Sequence, residues 1–73
     1  MENFVENLKF AKRFLELRKE NNLTATKLAS ELEVRDTTIL RWEKGLMVPN
    51  IIHLYRIAVY FGVSADYLIG LVD

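Results

Sequence analysis

Between Val34 and Gly45 the chain reads VRDTTILRWEKG, and five of its side chains could do chemistry together. Asp36, Thr37, Leu40, Arg41 and Lys44 recur at i, i+1, i+4, i+5 and i+8, which puts them on one face of a helix. Thr38, Ile39 and Trp42 fall on another face, suited to a core. The first face offers an acceptor carboxylate, a hydroxyl that donates or accepts, a branched apolar group and two cations. One cation is a planar guanidinium able to donate two parallel hydrogen bonds. Such a set matches an edge of mixed donors, acceptors and methyl groups.

Bond-making chemistry would need other residues. The chain has no Ser–His–Asp constellation and no glycine-rich phosphate loop, and its acids are scattered over short segments. His53 is the only histidine and there is no cysteine, so no metal-ligand set forms and His53 is expected to lie on a helix surface. The expectation is a protein that is not an enzyme, holds no cofactor or metal and has no evident small-molecule ligand.

The elements that must position this face are helices. Polar and apolar residues do not alternate over any sustained stretch, so strands are not expected. A first helix is expected from about Asn3 to Glu20, with Phe10, Phe14 and Leu17 on one stripe and Val5, Leu8, Ala11 and Leu15 widening it. The asparagines of ENNL end it. Thr24 N-caps a short second helix to about Leu32, which buries Leu28 and Ala29. The third helix runs from about Arg35 to Lys44 and stops at Gly45. Pro49 pushes Val48 towards extended geometry. Asn50 caps a fourth helix to about Phe61 with Ile51, Leu54, Ile57, Ala58 and Phe61 as its core face, and Gly62 closes it. Ser64 caps a fifth, Ala65 to about Ile69. The expected fold class is all-α, five short helices in one 73-residue domain.

Composition narrows the partners. Ten basic side chains balance ten acidic ones, and no tail or block of one sign occurs, which weighs against a nucleic-acid binder of the usual basic kind. No apolar run approaches a membrane span and MENFVENLKF lacks a cleavable-signal pattern, so no membrane partner and a cytoplasmic setting are expected.

Residues 24–44 read as helix, short turn, helix, and here a resemblance becomes specific. The run LTATKLASELEVRDTTILRWEKG, then VPN, then LYRIAVYFGVSADYLIG resembles the phage-repressor and Cro-like (XRE-type) helix-turn-helix family over about residues 8–70. The resemblance implies a compact five-helix, lambda-repressor-like domain whose third helix enters the major groove of double-stranded DNA. Arg35, Asp36, Thr37, Leu40 and Arg41 would then face the duplex. Thr24 and Ala25, at the start of the second helix, would sit against a phosphate. Arg18 and Glu43 occupy the positions of an internal ion pair that is common in the family.

The chain also departs from that pattern. Ala25 stands where a phosphate-binding glutamine is frequent, and Glu33 where the turn often has glycine. At positive φ, Glu33 would carry strain on the order of 1 kcal/mol. Arg35 replaces the usual capping serine, leaving Asp36 to cap, and the loop after Gly45 is the apolar LMV. Fewer phosphate contacts imply weaker binding than is usual, or greater dependence on dimerisation.

Each side chain keeps a plainer alternative. Arg41 suits guanine O6 and N7, or a phosphate. Asp36 suits cytosine N4, or the helix dipole. Thr37 and Leu40 suit a thymine methyl. Lys27, Arg35 and Lys44 are candidate phosphate clamps, or solvated charges. The apolar ending YLIGLVD suggests a two-fold dimer seated on Tyr67, Leu68, Ile69, Leu71 and Val72, or a frayed tail. Taken together these residues imply a sequence-specific DNA-binding transcriptional regulator, a repressor acting as a homodimer on a palindromic operator. The competing function is a protein-interaction module on the same fold, an antitoxin or an antagonist of another regulator.

Overall fold

A computed structural model describes residues 8–73 of the chain. Among them five helices follow one another: α1 Phe10–Glu20, α2 Ala25–Leu32, α3 Asp36–Glu43, α4 Ile51–Phe61 and α5 Ala65–Ile69; no strand occurs.

α1 begins later than the apolar period suggested. Leu8 and Lys9 are not helical, Lys9 takes the N-cap place, and its N–H reaches the Ile69 carbonyl at 3.4 Å. Leu8 is exposed and leaves the expected stripe. The rest of that expectation, Asn3–Asn7 with Val5, lies outside the described residues.

The other caps follow from local chemistry. Side-chain oxygens of Thr24, Asn50 and Ser64 accept from the N–H groups of Lys27, His53 and Tyr67 at 3.0, 2.9 and 3.0 Å, each satisfying one of a helix's orphan donors. α3 differs from expectation: Arg35 holds its N-cap place with no side-chain bond, and Asp36 is its first helical residue. Asp36 therefore favours the helix through its charge beside the positive dipole end and not as a cap.

The turn between α2 and α3 is tight because its first residue is left-handed. Glu33 has φ 58° and ψ 43°, and the Val34 N–H bonds back to the Ala29 carbonyl at 3.0 Å. An L side chain in this region costs about 1 kcal/mol. Glu33 also pairs with Arg56 at 3.7 Å, but both are exposed and such a pair contributes little. Glu33→Gly is thus expected to stabilise the fold by about 1 kcal/mol, raising Tm by roughly 4–8 °C in a thermal melt. An unchanged or lower Tm would mean the strain is already relieved.

The core is built where the five helices meet. Phe10, Phe14 and Leu17 of α1, Leu28, Ala29 and Leu32 of α2, Ile39 and Trp42 of α3, Ile57 of α4 and Leu68 of α5 are all buried. Ala29 supplies the small contact at the α2–α3 crossing. Trp42 lies edge-on to Phe14 and Phe10, with ring centroids 5.7 and 6.4 Å apart. His53 is not a free surface residue: its ring leans on Trp42 at 5.5 Å and is half-buried. Ile51 is not in the core. It is 81% exposed, and on this helix Leu54, Ile57, Ala58 and Phe61 pack on the core.

Candidate nucleic-acid interface

α2 and α3 form the two arms of the motif, and α3 divides its residues cleanly. Ile39 and Trp42 are buried and Thr38 is half-buried; Arg35, Asp36, Thr37, Leu40, Arg41 and Lys44 are exposed. The division follows from spacing, since residues three apart at 39 and 42 dock in the core while 36, 37, 40, 41 and 44 turn outward. Among the described residues the ion pairs are Arg18–Glu43, Lys27–Glu31 and Arg56–Glu33. None of them engages Arg35, Arg41 or Lys44, whose charges stay available to an outside partner.

At the start of α2 the Thr24 hydroxyl oxygen already accepts the Lys27 N–H, and it retains its own proton to donate. Ala25 packs partly against the core, so its amide rather than its side chain faces the helix end. Lys27 pairs with Glu31 one turn along at 3.1 Å. Both are exposed, and water competes with that pair easily.

Arg18 and Glu43 do not face outward. Arg18 Nε donates to Glu43 Oε2 at 2.5 Å and its Nη2 to Oε1 at 3.0 Å, while Nη1 reaches the Leu23 carbonyl at 3.0 Å. This two-pronged bond fixes the end of α3 to α1 and to the segment entering α2. The hydrogen bond and charge of Glu43 raise the Arg18 pKa above its ordinary value, against the opposing effect of burial. Glu43 has only 6% of its side chain exposed. Glu43→Gln is expected to lower stability by about 2 kcal/mol in urea unfolding, because the guanidinium then lacks its countercharge in a poorly hydrated place.

The C-terminal residues are held differently from the expectation. Leu68 is fully buried and belongs to the core, so it is not available to an interface. Tyr67 and Ile69 are half-buried, and only Leu71 and Val72 are exposed. What fixes this segment is a contact between residues far apart in the chain. The Arg13 guanidinium lies 4.4 Å from the centre of the Tyr67 ring and donates to the carbonyls of Tyr67 and Val72, the latter at 2.6 Å. The tail is thereby laid along α1.

Leu46, Met47 and Val48, after α3, are exposed. With Pro49, Asn50 and His53 the last two border a hollow of about 440 Å³ that also touches Arg35 and Thr38, so the start of α4 lies beside the start of α3. No group of three or more metal-ligating side chains occurs among the described residues, and none of their helices is long and apolar enough to cross a membrane.

This architecture agrees with what the chain matches among known proteins. The family described as helix-turn-helix domain matches residues 11–73. The chain belongs to that family. The helix-turn-helix domain is 37% identical over 63 residues to the HTH-type transcriptional activator BcrR of Enterococcus faecalis, covering 86% of this chain and 31% of that protein. It thus spans about a third of that relative's length. Among solved structures it is similar to a transcriptional regulator from Listeria innocua, with TM-score 0.76, 34% identity, 97% of this chain and 61% of that one. A helix-turn-helix family transcriptional regulator from Vibrio cholerae shares the fold at TM-score 0.77, with 23% identity over 94% of this chain and 39% of that one. Transcriptional regulators thus recur among the proteins this helix-turn-helix domain is similar to.

Proposed function

We propose that the domain reads specific sequence in double-stranded DNA by laying α3 in the major groove, and does so as a homodimer on a palindromic operator. The observation that carries this is the division of α3, with its inner face locked in the core and its outer face presenting Asp36, Thr37, Leu40 and Arg41, all exposed. In this arrangement Arg41 donates two bonds to a guanine, Thr37 and Leu40 meet thymine methyls, and Asp36 accepts from a cytosine amine. Arg35, Lys44, Lys27, Thr24 and the Ala25 amide hold phosphates and set the register. Few cations take part, so affinity falls with salt on a shallow slope.

The BcrR relative is named an activator. Occupying promoter DNA represses when the operator overlaps the polymerase site and permits activation when it lies beside it, so operator position sets the sign. A protein-interaction role on the same fold is favoured by one observation, the exposed apolar loop Leu46–Val48 beside α3.

Selection from a random duplex pool at moderate salt, with the purified chain as bait, tests the proposal. Enrichment of a two-fold symmetric motif with half-sites about one helical turn apart supports it. No enrichment even at low salt overturns it in favour of the protein-interaction role.

A further inference from the structure

α4 carries large apolar side chains that no other element among the described residues covers. Ile51, Ile52, Tyr55 and Val59 are 81, 60, 69 and 64% exposed. On a helix these positions and Gly62 share a stripe about 100° wide, turned away from Leu54, Ile57 and Phe61 that pack inward. The stripe bears no charge, and Arg56 at its margin is directed to Glu33. Single exposed apolar residues are ordinary, but four large ones side by side on one helix face mark a contact surface. We infer that this stripe seats a second copy of the chain, with the two α4 helices packed antiparallel about a two-fold axis near Tyr55. The inference rests on the dimeric reading proposed above and says where the copies meet.

Two features select a second copy as the occupant. An uncharged stripe meets its own copy without like-charge repulsion. Most specifically, a β-branched residue lies four positions before Tyr55 and another four after it, so reversing the helix lays Ile51 of one copy on Val59 of the other. Self-complementarity of that kind is what an isologous interface requires. In the same register Ile52 faces Ala58. There a hollow of about 460 Å³ is bordered by Ala58, Gly62 and Ala65, whose small side chains leave room for the incoming isoleucine. The C-terminal tail offers less, because Leu68 is buried and Arg13 holds the carbonyls on either side of Ile69.

Sedimentation of the full chain over about a hundredfold range of concentration tests the inference. Wild-type protein is expected to move from 8.5 kDa towards twice that mass. Tyr55→Lys sets two cations at the axis and should raise the dimer dissociation constant by about 100-fold, with an unchanged circular dichroism melt at dilutions where both proteins are monomeric, because the side chain is exposed in the single chain. Ile51→Lys and Val59→Glu should each weaken the dimer. The double variant should recover it, since each new cation then faces the other copy's new anion. A dimer indifferent to Tyr55→Lys overturns the α4 seat and leaves dimeric DNA reading intact. Dimers split by Tyr55→Lys but not restored in the double variant overturn the antiparallel register. Monomeric wild-type protein at every concentration overturns the inference, while DNA selection judges the α3 reading separately.

Discussion

Trp42→Ala is expected to lower the thermal unfolding midpoint of this domain steeply or to abolish its cooperative transition. The indole is 2% exposed and touches three aromatic rings: Phe10 and Phe14 edge-on, His53 tilted. Cutting an aromatic core residue to alanine costs about 3–5 kcal/mol, from lost transfer energy and the cavity left behind. A chain of 73 residues has a total stability on the order of 4–11 kcal/mol. The variant therefore loses about a quarter of what holds it together at the least and all of it at the most. α3 suffers most, because Trp42 and Ile39 are the only buried residues of that helix. Circular dichroism on heating, with urea unfolding at low temperature, measures this. A cooperative melt within a few degrees of wild type would show that the aromatic cluster collapses around the gap, and that α3 is held chiefly by Arg18 and Glu43.

Charge reversal at Arg41 acts on DNA and spares the fold. The side chain is exposed and joins no ion pair among the described residues, so Arg41→Glu should leave Tm nearly unchanged. On the operator recovered by selection, losing a bidentate guanine contact removes about 1–3 kcal/mol, and an added carboxylate near the phosphates removes more. A fall in affinity of at least about 100-fold is expected by fluorescence anisotropy, and Arg41→Ala should relax base preference at one position of each half-site. Undiminished DNA binding by Arg41→Glu would remove α3 from the reading role.

The sequence and the structure agree where local chemistry decides. Thr24, Asn50 and Ser64 were readable as caps because a short oxygen-bearing side chain before an apolar period has one main use. The outer face of α3 was readable because its spacing separates it from Ile39 and Trp42, and Glu33 because the motif leaves one position for a left-handed residue. What escaped was set by neighbours distant in sequence. The period of the first helix ran through Leu8 and Lys9, yet the backbone there bonds across to Ile69. Arg13, one basic residue among ten, carries no local signal of its bonds to the Tyr67 and Val72 carbonyls. α4 was misread at Ile51 because apolar residues nearly encircle it. A helix with more apolar surface than one core can absorb signals a second contact, and that signal was present in IIHLYRIAVYF.

The division of α3 also bears on how such a protein can change over generations. Asp36, Thr37, Leu40 and Arg41 are exposed, and the residues that hold the helix in place, Ile39, Trp42 and Glu43, are buried or nearly so. Under the proposed reading, substitutions at the outer four alter which DNA is preferred with little effect on folding, since surface changes away from caps and cores fall within about 0.5 kcal/mol. A duplicated copy of the gene can drift to a new operator one base at a time without passing through an unfolded intermediate. Stability constrains one side of the helix and selection for regulation acts on the other.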